Sequence, residues 1–502
     1  MDKELLEKVD NAQVYDVAVK TPLDFAPKIS ERIGNQIWLK REDLQPVFSF
    51  KIRGAYNCIM NLTQEQRQKG VIAASAGNHA QGVAFSAKKL GIPATIVMPE
   101  TTPNIKVDAV RSAGAEVVLH GLSYSDAAER ADEIVAQRGM TYIHPFDNLN
   151  VIAGQGTVGK EILEQLDSVE VIFVCVGGGG LLAGIASYVK QMRPDIKVIG
   201  VEPDDSDAMT QSIAQEHRVE LPEVGIFADG VAVKQVGEET YRLCKQYVDD
   251  MIVVSTDQIC AAIKDVFEDT RTVLEPAGAV GLAGAKMYCQ QQQWQDKVIA
   301  VTASGANMNF DRLRHVSERT QFAERREGVI AVKIPEQPGS FRAFCDAIGD
   351  FNITEFNYRY ADSRQAIIYV GVEIKDAGQL DRLITKLRDQ DYETTDLTDN
   401  EVAKLHVRHL VGGRCQGVED EVLYRFQFPE RPGALLSFLQ KLGGNWNISL
   451  FHYRNHGADF GRVLCGLQVP DTQKADFAQA LQELGYQYVD ETDNPAYQLF
   501  LA

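Results

Sequence analysis

Residues 171–184 read VIFVCVGGGGLLAG: a short apolar run rich in Val and Ile, four glycines, then an apolar stretch of helical composition. Each glycine costs about 0.5–1 kcal/mol relative to alanine inside a regular element, so four in succession need a reason other than helix or strand propensity. The reason is close approach: backbone N–H groups can crowd a phosphate only where no side chains intervene, with the next helix aiming its N-terminus at the anion. A strand that passes through such a loop into a helix is the repeating unit of a parallel sheet, whose ligands sit at the carboxyl ends of strands. Outward from this stretch the same rhythm recurs. Val71–Ala74, Ala94–Met98, Glu116–Leu119, Lys197–Val201, Met251–Val254 and Val298–Thr302 are short strand candidates separated by helix-period segments. The class expected for the first 318 residues is therefore α/β, with parallel sheets covered by helices on both faces.

The glycine run is not followed by Lys-Ser or Lys-Thr, and it is not a GxGxxG near the N-terminus, so a phosphate-bearing cofactor other than a nucleotide is the better reading. Three further segments lie at predicted strand ends or helix starts. In KREDLQPVFSFKIRGA (40–55), Lys51 opens a helix, where the dipole disfavours a cation and so favours the neutral amine that a Schiff-base lysine requires. In ASAGNHAQG (74–82) a strand runs into Ser75, Ala76, Gly77 and Asn78, whose backbone N–H groups can hold a carboxylate, although a plain helix cap explains them too; His79 alone reads as a structural histidine. In TASGANMN (302–309), Ser304 is either a turn residue or a hydroxyl partner for a ring nitrogen. Singly each is weak. Together they describe a pyridoxal-phosphate site.

The composition bounds the setting. With 502 residues the chain holds about three domains' worth of protein. Its formal charge of −19 argues against nucleic acid or an anionic membrane as partner. The charged opening MDKELLEKVD predicts no secretory signal, and no apolar run is long enough to span a bilayer. Eight cysteines are scattered without a CxxC pair, so reduced thiols, no metal cage and a cytoplasmic location are expected.

The rest of the chain is duplicated. IPEQPG (334–339) recurs as FPERPG (428–433), and NITEFNYR (352–359) as NISLFHYR (447–454), at offsets of 94 and 95. Each copy reads as a βαβ-type unit of about 70 residues: strand, Pro-Gly turn, helix of about a dozen residues, strand ending in Tyr-Arg. The expected organisation is a catalytic domain at 1–318, a polar connector at 319–328, regulatory units at 329–400 and 421–494, and a linker at 401–420.

SFKIRGA, SAGNHAQGVAF, the GGGGL run, GVAVK (230–234), EPAGA (275–279), SGANMNF and the duplicated tail together resemble the threonine deaminases of the tryptophan-synthase-β-like family of pyridoxal-phosphate enzymes. The resemblance covers essentially the whole chain. It implies a fold-type II catalytic domain followed by two ACT-like α+β domains. It implies pyridoxal 5'-phosphate as cofactor, with Lys51 carrying it as a Schiff base and Phe50 packed against its ring. Asn78 would bond the ring hydroxyl, Gly177, Gly178, Gly179, Gly180 and Leu181 would hold the phosphate, and Ser304 would face the ring nitrogen. Ser75, Ala76, Gly77 and Asn78 would hold the carboxylate of L-threonine. The resemblance further implies inhibition by isoleucine, opposition by valine and a homotetramer. Tyr358 and Tyr453, equivalent in the repeat and followed by Arg359 and Arg454, are the candidates for effector contacts, or else edge-strand packing residues. Serine racemases of the family carry a second serine where this chain has Ala76, which disfavours racemisation and leaves serine dehydration as a side reaction. A different lyase or synthase on the same fold, or an amino-acid sensor with a dead catalytic half, are the alternatives; the complete motif set and the intact Lys51, Asn78 and Ser304 argue against both.

Overall fold

The structure is a computed structural model. It describes residues 3–501 apart from 226, 311, 324–326, 350, 361–363, 401–402, 404–406, 408–414, 416, 430–433, 443–445, 455–459, 496 and 498–500. The chain divides into two compact units, Met1–Thr320 and Gln321–Ala502.

The first unit is built on two sheets. A four-stranded sheet has β3 (Val71–Ala74), β4 (Ala94–Met98), β5 (Glu116–Leu119) and β6 (Thr141–Tyr142) in the order β5-β4-β3-β6, all parallel. A six-stranded sheet has β1 (Leu23–Phe25), β2 (Gln36–Arg41), β7 (Val171–Cys175), β8 (Lys197–Pro203), β9 (Asp250–Val254) and β10 (Val298–Ala303) in the order β1-β2-β10-β7-β8-β9. Only the edge pair β1–β2 is antiparallel. All seven expected strands form, to within two residues at either end. The three unforeseen ones are β1, β2 and the two-residue β6. β2 (QIWLKR) carries charge at its end and reads as polar, yet Lys40 and Arg41 are buried there by ion pairing.

Every residue of β3, β4 and β7 is buried, as strands covered by helices on both faces must be. Helix Pro276–Gln292 packs on the larger sheet through Gly281 and Gly284. A Cβ at Gly284 would lie 2.5 Å from the Val201 side chain, so only glycine permits this approach.

The second unit repeats one motif twice. The first copy comprises β11 (Glu327–Pro335), helix Ser340–Ile348, β12 (Ile353–Arg359), β13 (Gln365–Glu373), helix Ala377–Asp389 and β14 (Thr394–Asp396). The second comprises β15 (Glu421–Pro429), helix Ala434–Leu442, β16 (Asn447–Arg454), β17 (Phe460–Gln468), helix Lys474–Leu484 and β18 (Gln487–Asp490). The copies fuse into one eight-stranded sheet, β14-β11-β13-β12-β16-β17-β15-β18, with every neighbouring pair antiparallel. The βαβ-type reading is therefore incomplete. β13 inserts between β11 and β12, so each copy is a split βαβ extended by a second helix and an edge strand. Thr398 and Thr492 preserve the duplication in detail, their hydroxyls accepting from the N–H of Val329 and Leu423, each at 3.0 Å.

The expected connector at 319–328 is not free chain where it is described. Helix Arg312–Ala323 runs through its start and β11 begins at Glu327. Thr320 is buried, its hydroxyl donating to the Cys260 carbonyl at 3.1 Å, because a helix with one buried face is not fully solvated despite its charges. Most of the linker at 401–420 and the Glu430–Gly433 part of the second Pro-Gly turn lie outside the described residues.

Candidate active site

The four segments singled out in the sequence meet at the carboxyl ends of parallel strands, between the two sheets of the first unit. β7 runs into the glycine loop, β10 into Ser304, β3 into Ser75, and β2 into the segment that ends at Lys51. That segment is held by an antiparallel bridge between Ser49 and Gly305 and by the Phe50 N–H donating to the Ser304 carbonyl at 3.3 Å. It contains Phe48 at φ 55°, a left-handed conformation unusual for a large side chain.

Lys51 opens helix Lys51–Met60, with Nζ 5.2 Å from the centre of the Phe50 ring. Its amine is held below the ordinary lysine range. Loss of water is the leading cause, with charge at Cys175 and Glu275 opposing it. The direction agrees with the helix-dipole argument, but desolvation supplies it.

Helix Gly180–Met192 starts directly on the glycine run, with Gly179 at φ +94°. Its first N–H groups have no carbonyl within the helix to bond. A Cβ at Gly178 would lie 2.2 Å from the Phe146 ring, and one at Gly177 would lie 2.9 Å from Val231 Cα. The Gly178 carbonyl is fixed from the far side by the Thr240 hydroxyl at 2.7 Å. GVAVK thus acquires a physical role, since Val231 backs the loop. Phe146 was not foreseen at all; its only signal is the HPFDN stretch (144–148). There the N–H groups of Phe146 and Asp147 donate to His144 Nδ1, and Asp147 caps helix Glu238–Tyr247. Gly178→Ala is expected to weaken pyridoxal-phosphate binding by about ten- to a hundredfold, the cost of overpacking one methyl group, in a spectrophotometric titration of the apoprotein.

Asn78 opens helix Asn78–Leu90. The Ser75 N–H donates to the Val97 carbonyl at 3.1 Å as a continuation of the sheet, and the Gly77 N–H donates to Ser75 Oγ at 3.3 Å. Ser75 and Gly77 therefore spend their N–H groups within the protein. Ala76 and Asn78 are the better carboxylate donors of the four. Asn78 Nδ2 donates to Glu275 Oε1 at 2.6 Å, and Asn307 Nδ2 donates to Asn78 Oδ1 at 2.7 Å. His79 is buried with Nε2 2.7 Å from the Ile143 carbonyl, a structural histidine held near pKa 3 by burial. Ser304 is buried, its hydroxyl 3.4 Å from the Ala277 carbonyl.

The residues present fit pyridoxal phosphate. A glycine run on a helix N-terminus can receive the phosphate, a desolvated amine lies beside an aromatic face, and a buried neutral hydroxyl stands at the end of β10. Fold and site together define a fold-type II pyridoxal-phosphate enzyme, and a family model described as pyridoxal-phosphate dependent enzyme matches residues 14–305. A second, described as the C-terminal regulatory domain of threonine dehydratase, matches twice, at 318–407 and 412–501. The biosynthetic L-threonine dehydratase of Burkholderia multivorans is 55% identical over 501 residues, covering 99% of both chains. That of Escherichia coli is 52% identical, covering 99% of this chain and 97% of its own. The solved processed form of threonine deaminase isoform 2 from Solanum lycopersicum is 50% identical over 64% of this chain and 94% of that one, with a TM-score of 0.63. The chain belongs to the threonine dehydratase family.

In the second unit, Tyr358 and Tyr453 do not line an open site. They are 4% and 3% exposed, within the core of the fused sheet, because β12 pairs β16 with Tyr358 opposite Phe451 and Phe356 opposite Tyr453. The Tyr358 hydroxyl donates to Glu336 Oε2, while Asn447 Nδ2 donates to Glu336 Oε1 at 3.0 Å. Arg359 is committed to an ion pair with Glu421. Asn447 faces a small cavity shared by the two copies, lined also by Phe341, Leu439, Trp446, Ile448 and Leu467, by Gly339, and by the polar Gln337 and Arg342.

Proposed function

We propose that the protein eliminates water from L-threonine and releases an enamine that water hydrolyses to 2-oxobutanoate and ammonia, the committed step of isoleucine synthesis. The observation that carries this is the Lys51 amine, desolvated and neutral-leaning, set between an aromatic face and a glycine-built phosphate cradle. Gly177, Gly178, Gly179, Gly180 and Leu181 would hold the cofactor phosphate, Asn78 its ring hydroxyl, Ser304 its ring nitrogen and Phe50 one ring face. When bound, the cofactor supplies an electron sink for charge developing at the substrate Cα.

The chain's own groups position the substrate and take its Cα proton. The N–H groups of Ala76 and Asn78 orient the substrate carboxylate. The Lys51 amine accepts the Cα proton, for which a lowered pKa is an advantage because more of it is neutral at pH 7. Ala76 has no proton to give or take, so no second base stands where the racemases of the family carry a serine. Racemisation is disfavoured for that reason, and L-serine is a side substrate. A maize serine racemase of solved structure is 33% identical over 62% of this chain, with a TM-score of 0.59, so the fold alone does not separate the two activities.

Isoleucine inhibits and valine opposes it in this reading, through the duplicated unit. The supporting feature is the cavity between the copies, lined by apolar side chains together with the polar Gln337, Arg342 and Asn447, which suits an amino acid with a small apolar side chain. A homotetramer in the cytoplasm completes the proposal. None of the eight cysteines is joined in a disulfide, and among the described residues no helix is long and apolar enough to cross a membrane. The test is keto-acid release by the full chain from threonine and from serine, each with and without isoleucine. Threonine turnover that isoleucine suppresses is expected. Serine turning over much faster than threonine, or no response to isoleucine, would sink the substrate or the regulatory part respectively.

A further inference from the structure

Glu275 is a buried carboxylate whose charge acts on Lys51, and the proposed reaction does not use it. It is 6% exposed and stands at the N-cap of helix Pro276–Gln292. A capping role is the ordinary explanation for an acidic side chain there, but its carboxylate makes no cap hydrogen bond. It turns instead into the site, so close to Gly305 that a Cβ on that glycine would meet Oε1 at 2.4 Å. The side-chain partner it finds is Asn78 Nδ2, at 2.6 Å.

The direction of that bond matters. The two ends of a carboxamide are nearly the same size, so nothing steric decides which one faces a ligand. An ionised carboxylate can only accept. Contact with Glu275 therefore forces the Nδ2 end of Asn78 toward it. Asn307 acts on the other end, donating from Nδ2 to Asn78 Oδ1 at 2.7 Å, and is itself fixed by donating to the Val47 carbonyl at 2.8 Å. The chain Val47, Asn307, Asn78, Glu275 links the segment before Lys51, the loop after β10, the helix after β3 and the N-terminus of helix Pro276–Gln292. Asn307 donates both ways, to the Val47 carbonyl and to Asn78, and Asn78 in turn donates to Glu275. Of the two N–H groups on Asn78 Nδ2, one is spent on Glu275 and the other is the donor left for a ligand.

Resting on the pyridoxal-phosphate reading above, we propose that Glu275 is a positioning residue: through its hydrogen bond to Nδ2 it sets the orientation of the Asn78 amide, and so presents the Asn78 N–H to the acceptor oxygen of the bound cofactor. Burial pushes its carboxyl up to about 7, a shift that the Asn78 bond opposes, so the contact is strongest where the carboxylate is ionised. Lys51, Lys106 and Asp229 are the charged groups that act on it, and Lys106 and Asp229 pair with each other at 2.8 Å.

The experiment is a double-mutant cycle on pyridoxal-phosphate affinity, read from the Schiff-base absorbance as cofactor is titrated into apoprotein. Thermal midpoints of the apoproteins are measured alongside. Glu275→Ala and Asn78→Ala are each expected to weaken binding about tenfold, the value of one buried hydrogen bond. The double variant is expected to be no weaker than either alone. Glu275→Gln retains an acceptor oxygen and is expected to restore most of the affinity lost in Glu275→Ala. Losses that multiply in the double variant, or a Glu275→Gln protein as weak as Glu275→Ala, would overturn the proposal. If the unaltered chain shows no Lys51-dependent absorbance at all, it is the cofactor reading that fails.

Discussion

Lys51→Ala is expected to abolish both threonine turnover and the visible Schiff-base absorbance. In the proposed reaction the single amine removed is both covalent anchor and base at Cα. Loss of a general base alone costs about 10²–10⁴-fold, and loss of the covalent attachment adds to this. Glu275 is tied to Asn78, and neither nearby histidine supplies a substitute. Lys51 sits against the Phe50 ring, His79 is tied to the Ile143 carbonyl and held near pKa 3, and Ala76 lacks a titratable group. His144 is likewise committed, its Nδ1 accepting from two backbone N–H groups and its pKa lowered by burial. Keto-acid release and an absorbance scan of the purified variant check both losses. A Lys51→Ala protein that keeps the band and the activity would place the chemistry elsewhere.

The largest effect on stability is expected two residues further along the same helix. Arg53 is 0% exposed and forks onto Glu42, with Nε to Oε2 at 2.7 Å and Nη2 to Oε1 at 2.8 Å. Its Nη1 also donates to Glu161 Oε1 at 2.6 Å. Lys40, equally buried, completes the cluster by donating to Glu161 Oε2 at 2.6 Å. Glu42 feels an upward push from burial, yet Arg53 and Lys40 hold its carboxyl below the ordinary range. Arg53→Met would leave two buried carboxylates facing one lysine, and breaking a buried pair in this way costs about 3–5 kcal/mol. The midpoint of the first thermal transition should fall accordingly, with a smaller loss for a variant in which Arg53, Glu42 and Glu161 are all replaced by apolar residues of similar volume. An Arg53→Met protein as stable as the parent would show that water enters the cluster.

What was legible in the chain follows from range. Lys51, the glycine run, Ser75–Asn78 and Ser304 announce themselves because each is decided within about ten residues by the strand before it and the helix after it. Five of the seven strands were visible for the same reason: buried parallel strands are continuous apolar runs. Glu275, Asn307 and Phe146 were not. Glu275 reads as an ordinary helix cap until Asn78, 197 residues away, is placed beside it. Lys40 and Glu161 form a buried pair across 121 residues, which no local pattern contains. In the second unit the repeat was plain at the level of motifs, yet the burial of Tyr358 and Tyr453 follows from the pairing of β12 with β16, a register between the two copies.

By itself, then, the sequence determined the class of fold and the cofactor, and it marked candidate residues for the site, because backbone-built anion sites and a reactive lysine carry local chemical signatures. Tertiary structure alone decided how those groups are oriented: which end of the Asn78 amide is offered, which N–H groups after β3 remain for a carboxylate, and that desolvation is the leading influence on the Lys51 amine. Those outcomes depend on the removal of water and on hydrogen bonds between distant segments, and both exist only once the chain has closed on itself.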